Sequence, residues 1–142
     1  MELLEAAKVL GVAGPGQRLS SDIDYLILLD KGLPLKSLDI ICDALAPADA
    51  SFKYRIVPKA TLARTKARRK LNTEQSVLIT RLANVWSTAM RVWKSPGEAR
   101  AFLYRPHMLL DNRRPIDLVL KNEIGSALVE DVLGRLEHGT AV

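Results

Sequence analysis

Three scarcities set the first limits on this sequence. Only 5% of its 142 residues are aromatic, one is a cysteine and two are histidines. A lone Cys42 rules out an internal disulfide and any zinc site built on several cysteines, and such a chain suits a reducing compartment. His107 and His138 stand apart, with no metal-ligand spacing around either. Aromatics give way to Leu, Ala, Ile and Val, a balance that favours packed helices over sheets. No apolar run approaches the roughly 18 residues that cross a bilayer. The first residues, Met1 to Gly11, carry Glu2 and Glu5 with no basic leader, which makes them a poor signal peptide. The expectation is a soluble cytoplasmic protein with no membrane partner.

Reactive constellations are also missing. There is no phosphate-binding loop, and Gly11, Gly14 and Gly16 lack the rest of a dinucleotide fingerprint. Cys42 falls on an apolar helix face and reads as a core thiol. Glu130 and Asp131 are neighbours on a helix, so they diverge. The chain reads as a non-enzyme, with no catalytic residues, no metal and no cofactor.

What is present is a foldable, all-α chain. Hydrophobic residues make up 48%, enough for a core at this length without disulfides or metal. A short helix is expected over Glu2 to Leu10, then a flexible connection from Gly11 to Gly16 around Pro15. Ser21 and Asp24 form a capping-type pair that opens a helix with Ile23, Leu26 and Ile27 inward, stopped by Gly32 and Pro34. Pro34 opens another, faced by Leu35, Leu38, Ile41, Cys42 and Leu45. Phe52 to Ile56 suggests a short helix, and Pro58 starts the next, with Ala60 and Leu62 inward.

Asn72 and Gln75 cap the longest helix, roughly Thr73 to Trp93, striped by Leu78, Leu82, Val85, Trp86, Ala89 and Trp93. Ser95-Pro96-Gly97-Glu98 is a further helix start, with Ala99, Phe102 and Leu103 inward. Leu109 to Arg114 is a loop, and Pro115 opens a turn through Ile116, Leu118 and Val119. Asn122 caps a last helix whose face is Ile124, Leu128, Val132 and Leu136, ended by Gly139. The organisation expected is a helical region over 1–72 and a second half over 73–142.

The net charge of +5 is concentrated in one place. Between Lys53 and Lys70 lie eight basic residues and no acidic one, whereas the remainder holds 13 basic and 16 acidic side chains. A solvated helix face is one reading. A DNA surface is the other: the charge has one sign, and two short helices meeting at Val57-Pro58 suit the bend of a helix-turn-helix. The second helix carries Lys59, Thr61 and Arg64 at the end that usually enters the major groove. Thr61 and Arg64 are candidates for base edges. Lys53, Arg68, Arg69 and Lys70 are candidates for phosphates, and Lys66 is a further DNA-binding candidate. Trp86 and Trp93 either stack on bases or serve core and interface.

Several motifs resemble the Xre/MbcA/ParS antitoxins, which are paired with RES-domain toxins. They are Arg113-Arg114-Pro115-Ile116-Asp117-Leu118, Asn122-Glu123-Ile124-Gly125, and the run from Val129 to Gly139. Ser21-Asp22 with Asp24, Lys31-Gly32-Leu33-Pro34 and Thr61-Leu62-Ala63-Arg64 are similar to that family's N-terminal signature and recognition-helix core. Where the family often has Gly-Gly before Arg-Arg-Pro, this chain has Asp111-Asn112, both tolerant of left-handed backbone. Arg55-Ile56-Val57 lacks the Gly and polar cap usual at the bend.

The resemblance implies an Xre-like helix-turn-helix bundle followed by a helical toxin-binding domain. It implies a repressor that binds a NAD-consuming RES toxin, restricts its active site, and binds its own promoter. The toxin-contact candidates are Arg113, Arg114, Asp117, Leu133, Arg135, Leu136, Glu137, His138, Gly139 and Val142, the short tail to Val142 lying across the toxin's pocket. Arg113 or Arg114 pairing with Asp117 or Glu130 to brace the loop stands beside direct contact. Helix-turn-helix proteins usually dimerise, so a homodimer and a larger complex with toxin are expected. A stand-alone transcriptional regulator and an interaction module that no longer binds DNA are the competing readings.

Overall fold

The computed structural model describes residues 1–12 and 19–139. Gly14, Pro15 and Gly16 of the expected connection, and the tail Thr140 to Val142, lie outside the described residues. The fold is all-α. Among the described residues there are eight α-helices and no strand: α1 Leu3–Val9, α2 Asp22–Lys31, α3 Lys36–Leu45, α4 Lys59–Arg68, α5 Thr73–Trp93, α6 Pro96–Tyr104, α7 Pro115–Lys121 and α8 Glu123–Glu137. Two compact units divide the chain, Met1–Asn84 and Val85–Val142, with the boundary inside α5.

Local chemistry starts most helices where the sequence predicts. The Ser21 hydroxyl accepts from the Asp24 N–H, and the Asp24 carboxylate reaches back to the N–H and hydroxyl of Ser20. Asn72 and Gln75 make a reciprocal box: each side-chain oxygen accepts from the other's backbone N–H, at 2.9 and 2.7 Å. Ser95 caps α6 with Pro96 in its first turn. The Asn122 carbonyl oxygen accepts from the Gly125 N–H at 2.8 Å to open α8. The expected helix over Phe52 to Ile56 is a single 3₁₀ turn, Phe52–Arg55. Phe52, Ile56 and Val57 are all buried there, which pins the backbone before it can wind further.

In the first unit Tyr25, Leu33, Leu38, Ile41, Leu45, Phe52, Ile79 and Leu82 are buried. The segment after α2 pairs with the end of α4: Leu35 N–H donates to the Arg69 carbonyl and Leu71 N–H to that of Leu33. Gly32 makes this possible. Its φ is +93°, and a Cβ there would overlap the Leu71 carbonyl oxygen. From Ile79 to Trp86 every residue of α5 is buried, so along that stretch burial extends beyond the expected stripe. Three of its buried polar side chains have clear partners. Ser76 Oγ accepts from the Leu33 N–H, Thr80 Oγ1 meets the Tyr25 hydroxyl at 2.7 Å, and Asn84 donates to the Glu2 carbonyl.

Two faces differ from expectation. On α2, Ile23, Leu26 and Ile27 point outward, and Tyr25 and Leu29 fill the core instead. On α8, Ile124 and Leu128 are exposed, while Gly125, Ser126, Val129, Val132 and Leu133 face inward. The cause is close packing of α7 on α8: a Cβ at Gly125 would overlap the Leu118 carbonyl oxygen, so the small residues turn toward the contact. Ala60 of α4 is likewise exposed, with Leu62 and Thr65 facing inward.

Candidate functional site

In the first unit, α4 carries the positive charge outward. Leu62 and Thr65 anchor it, and Ala60, Ala63 and Ala67 occupy the exposed side at three- and four-residue spacing. Lys59 and Lys66 flank that alanine row on one side, Arg64 and Arg68 on the other, all exposed. Short side chains between long cations let a helix approach a polyanion closely. Thr61 is half-buried, and its hydroxyl donates to the Pro58 carbonyl at 2.9 Å, which closes the first turn. Lys53 and Lys59 lie 5.5 and 5.6 Å from the centre of the Tyr54 ring, so the aromatic face gathers two cations at the start of α4. Arg69 ends the helix with φ +57°, the left-handed position where glycine is usual, and Lys70 follows it, exposed. Residues 46–58 separate α3 from α4, a longer connection than the three or four residues of a simple helix-turn-helix.

Cys42 is half-buried on α3. Burial, then the charges of Asp39 and Asp43, push its thiol up to about 12, so almost no thiolate exists at neutral pH. Among the described residues no group of three His, Cys, Asp or Glu gathers to hold a metal. No helix among them is long and apolar enough to cross a membrane.

The second unit organises the Arg-Arg-Pro motif around a tight loop. His107 N–H donates to the Arg113 carbonyl, and the His107 carbonyl accepts from the Leu110 and Asn112 N–H groups. The His107 ring accepts from the Leu109 N–H and meets the Phe102 ring edge-on at 5.9 Å. Asp111 and Asn112 both have left-handed backbone, at φ +53° and +59°, as those two residue types permit. Arg114 grips Asp117 through two bonds of 2.9 Å and lies 5.8 Å from the Tyr104 ring. That pair raises the affinity of the Arg114 guanidinium for its proton, by hydrogen bond first and by charge second. For Arg114, therefore, the bracing arrangement is present. Arg113 is exposed beside it.

The other named positions lie along α8. Leu133 is fully buried and belongs to the core. Arg135 is exposed and Leu136 half-buried. Glu137 accepts from Arg91 Nε at 2.8 Å, a bond that holds its carboxyl below the ordinary glutamate range and ties α8 to α5. His138 ends the helix, and Gly139 follows with φ +72°. Val142 lies outside the described residues. Trp86 is buried with Arg100 5.5 Å from its ring, and Trp93 packs on Phe102 at 6.0 Å, so both tryptophans serve packing. Sequence reasoning missed His107 as the hub of the loop and Arg91 as the partner of Glu137. No local signal marks either, because both depend on residues brought in by folding.

The second unit is thus a compact helical module with a braced basic loop and the end of the helix α8. Residues 88–139 match the family model of the antitoxin Xre/MbcA/ParS C-terminal toxin-binding domain. The match is to a toxin-binding domain over that stretch, and it supports an antitoxin role with a toxin protein as partner. Among curated proteins, nothing matches the chain.

Proposed function

We propose that the chain is the antitoxin of a type II pair whose toxin is a RES-domain, NAD-degrading enzyme. In this reading the second unit binds the toxin, and the end of α8, with the tail after it, restricts the toxin's active site. The chain itself performs no reaction. The match of residues 88–139 carries the proposal. Co-expression with the neighbouring gene product, purification and mass measurement test it. A stable complex and loss of NAD consumption are expected, whereas a partner without NAD-consuming activity rejects the RES assignment. Removing His138 to Val142 tests the blocking element, since undiminished neutralisation excludes it.

The same reading makes the chain a repressor of its own promoter, alone or with toxin. The one-signed band on α4 supports this, as does Arg69 in a left-handed position that glycine would occupy with less strain. A homodimer belongs to the reading because promoter half-sites repeat with the helical turn. The outward Ile23, Leu26 and Ile27 of α2 supply an apolar face for it. The long 46–58 connection favours the alternative of an interaction module without DNA binding. Titration of promoter DNA against salt separates the two.

A further inference from the structure

Four large aliphatic side chains are exposed in the second unit: Met108 at 72%, Leu109 at 41%, Ile124 at 74% and Leu128 at 48%. Ile124 and Leu128 stand one turn apart on α8, so they form a single ridge. Leu109 faces that ridge across a groove of about 500 Å³ floored by Leu118 and Gly125. The bare Gly125 lets α8 lie directly on the Leu118 carbonyl, and this contact turns the aliphatic ridge away from the core. Arg113 and Lys121 edge the groove, both exposed and neither in an ion pair among the described residues; Asp111 is the one carboxylate at the edge.

We propose that this groove is the principal docking seat for the toxin, receiving a toxin segment that presents aliphatic side chains beside a carboxylate. The inference rests on the toxin-binding reading of residues 88–139 and names the surface that reading leaves open. Two features select the occupant. An exposed aliphatic ridge rimmed by polar side chains, inside a toxin-binding domain, marks an interaction surface, and the cationic edge selects an acidic neighbour. A second copy of this chain is disfavoured, because a two-fold pairing sets the same patch against itself and brings Arg113 and Lys121 against their own copies. Leu128 also lies two turns, about 12 Å, before Leu136 on α8. The seat is therefore separate from the helix end that restricts the active site: one anchors, the other blocks.

The test uses the full-length chain and the purified product of the neighbouring toxin gene, with affinity read by titration calorimetry. The double variant Ile124→Asp and Leu128→Asp, at two exposed positions, should weaken binding by at least about 30-fold with an unchanged circular dichroism spectrum. If that variant misfolds, Arg113→Glu with Lys121→Glu decides: a loss of about tenfold or more, shrinking at high salt, supports the seat. Wild-type affinity in the folded aspartate variant, or in the glutamate variant, overturns the seat and leaves the toxin-binding reading intact. A wild-type chain that fails to bind the toxin overturns both. A wild-type oligomer that the aspartate variant splits, with toxin affinity unchanged, assigns the groove to self-association and overturns the proposal.

Discussion

Arg114 clasps Asp117 through two parallel hydrogen bonds of 2.9 Å, while Arg113 beside it has no ion-pair partner among the described residues. The two arginines of one motif thus have different work. The clasp is partly exposed, at 42% and 39% for the two side chains, so water screens it and its contribution stays below about 1 kcal/mol. Asp117→Asn should lower the melting temperature by only a few degrees. Arg113→Ala should leave stability unchanged and weaken toxin binding more than Arg114→Ala does. Calorimetric titration of the two alanine variants reads this directly, and equal losses would show that the clasp presents Arg114 to the toxin as well.

Tyr25 and Thr80 share the buried polar contact of the first unit. Thr80 donates its own proton to the Ser76 carbonyl, so the Tyr25 hydroxyl is the donor in the 2.7 Å bond between them. Thr80→Val strands a buried phenol and should cost about 2 kcal/mol, whereas Tyr25→Phe, which leaves Thr80 still bonded, should cost about 1. Urea denaturation should give that order.

Burial raises the Tyr25 pKa above the ordinary 10, against the smaller opposing effect of Thr80. The folded state therefore holds a proton that the unfolded chain releases near pH 10. Stability is full below that pH and falls as pH climbs toward the raised folded value. The alkaline loss should be smaller in Tyr25→Phe than in the wild type. Parallel slopes above pH 10 would remove Tyr25 from the titration.

What the sequence made legible was what neighbours in the chain decide. The Asn72–Gln75 box, the Ser95-Pro96 start and the Asn122 cap all form where residue spacing indicates, and Asp111-Asn112 adopts the left-handed turn. Which side of an amphipathic helix faces inward depends on what packs against it. On α2 an aliphatic triplet competes with Tyr25, and Tyr25 wins because Thr80 offers its hydroxyl a partner. On α8 the absence of a side chain at Gly125 decides the facing, which a search for apolar periodicity cannot register. The basic band was legible as charge, and its spread over two sides of an alanine row emerges only with the helix phase.

Two glycines of α8 should respond in opposite directions to one substitution. Gly134 has open space where a Cβ would go, so Gly134→Ala should stabilise by about 0.5–1 kcal/mol through helix propensity. Gly125→Ala drives a methyl into the Leu118 backbone, which cannot swing aside as a side chain would. It should cost about 3 kcal/mol or more and separate α7 from α8. Thermal melts of the two variants check both signs.

Arg69 offers a trade between folding and DNA binding. Its left-handed φ of +57° is strained for a residue with a Cβ, so Arg69→Gly should stabilise the fold by up to about 1 kcal/mol. If the side chain grips a phosphate, the same change should weaken binding to all DNA sequences alike and reduce the magnitude of the log–log salt slope by about 1. That slope should be near −4 to −5 per wild-type protomer for about five neutralised phosphates. Arg64→Ala should act differently: if Arg64, exposed beside the alanine row midway along α4, contacts a base edge, the change should relax sequence preference and leave melting unchanged. Binding to promoter and scrambled duplexes across a salt series separates these behaviours. A stabilised Arg69→Gly variant with wild-type DNA affinity would remove Arg69 from the interface, and unchanged promoter preference in Arg64→Ala would remove α4 as the reading helix.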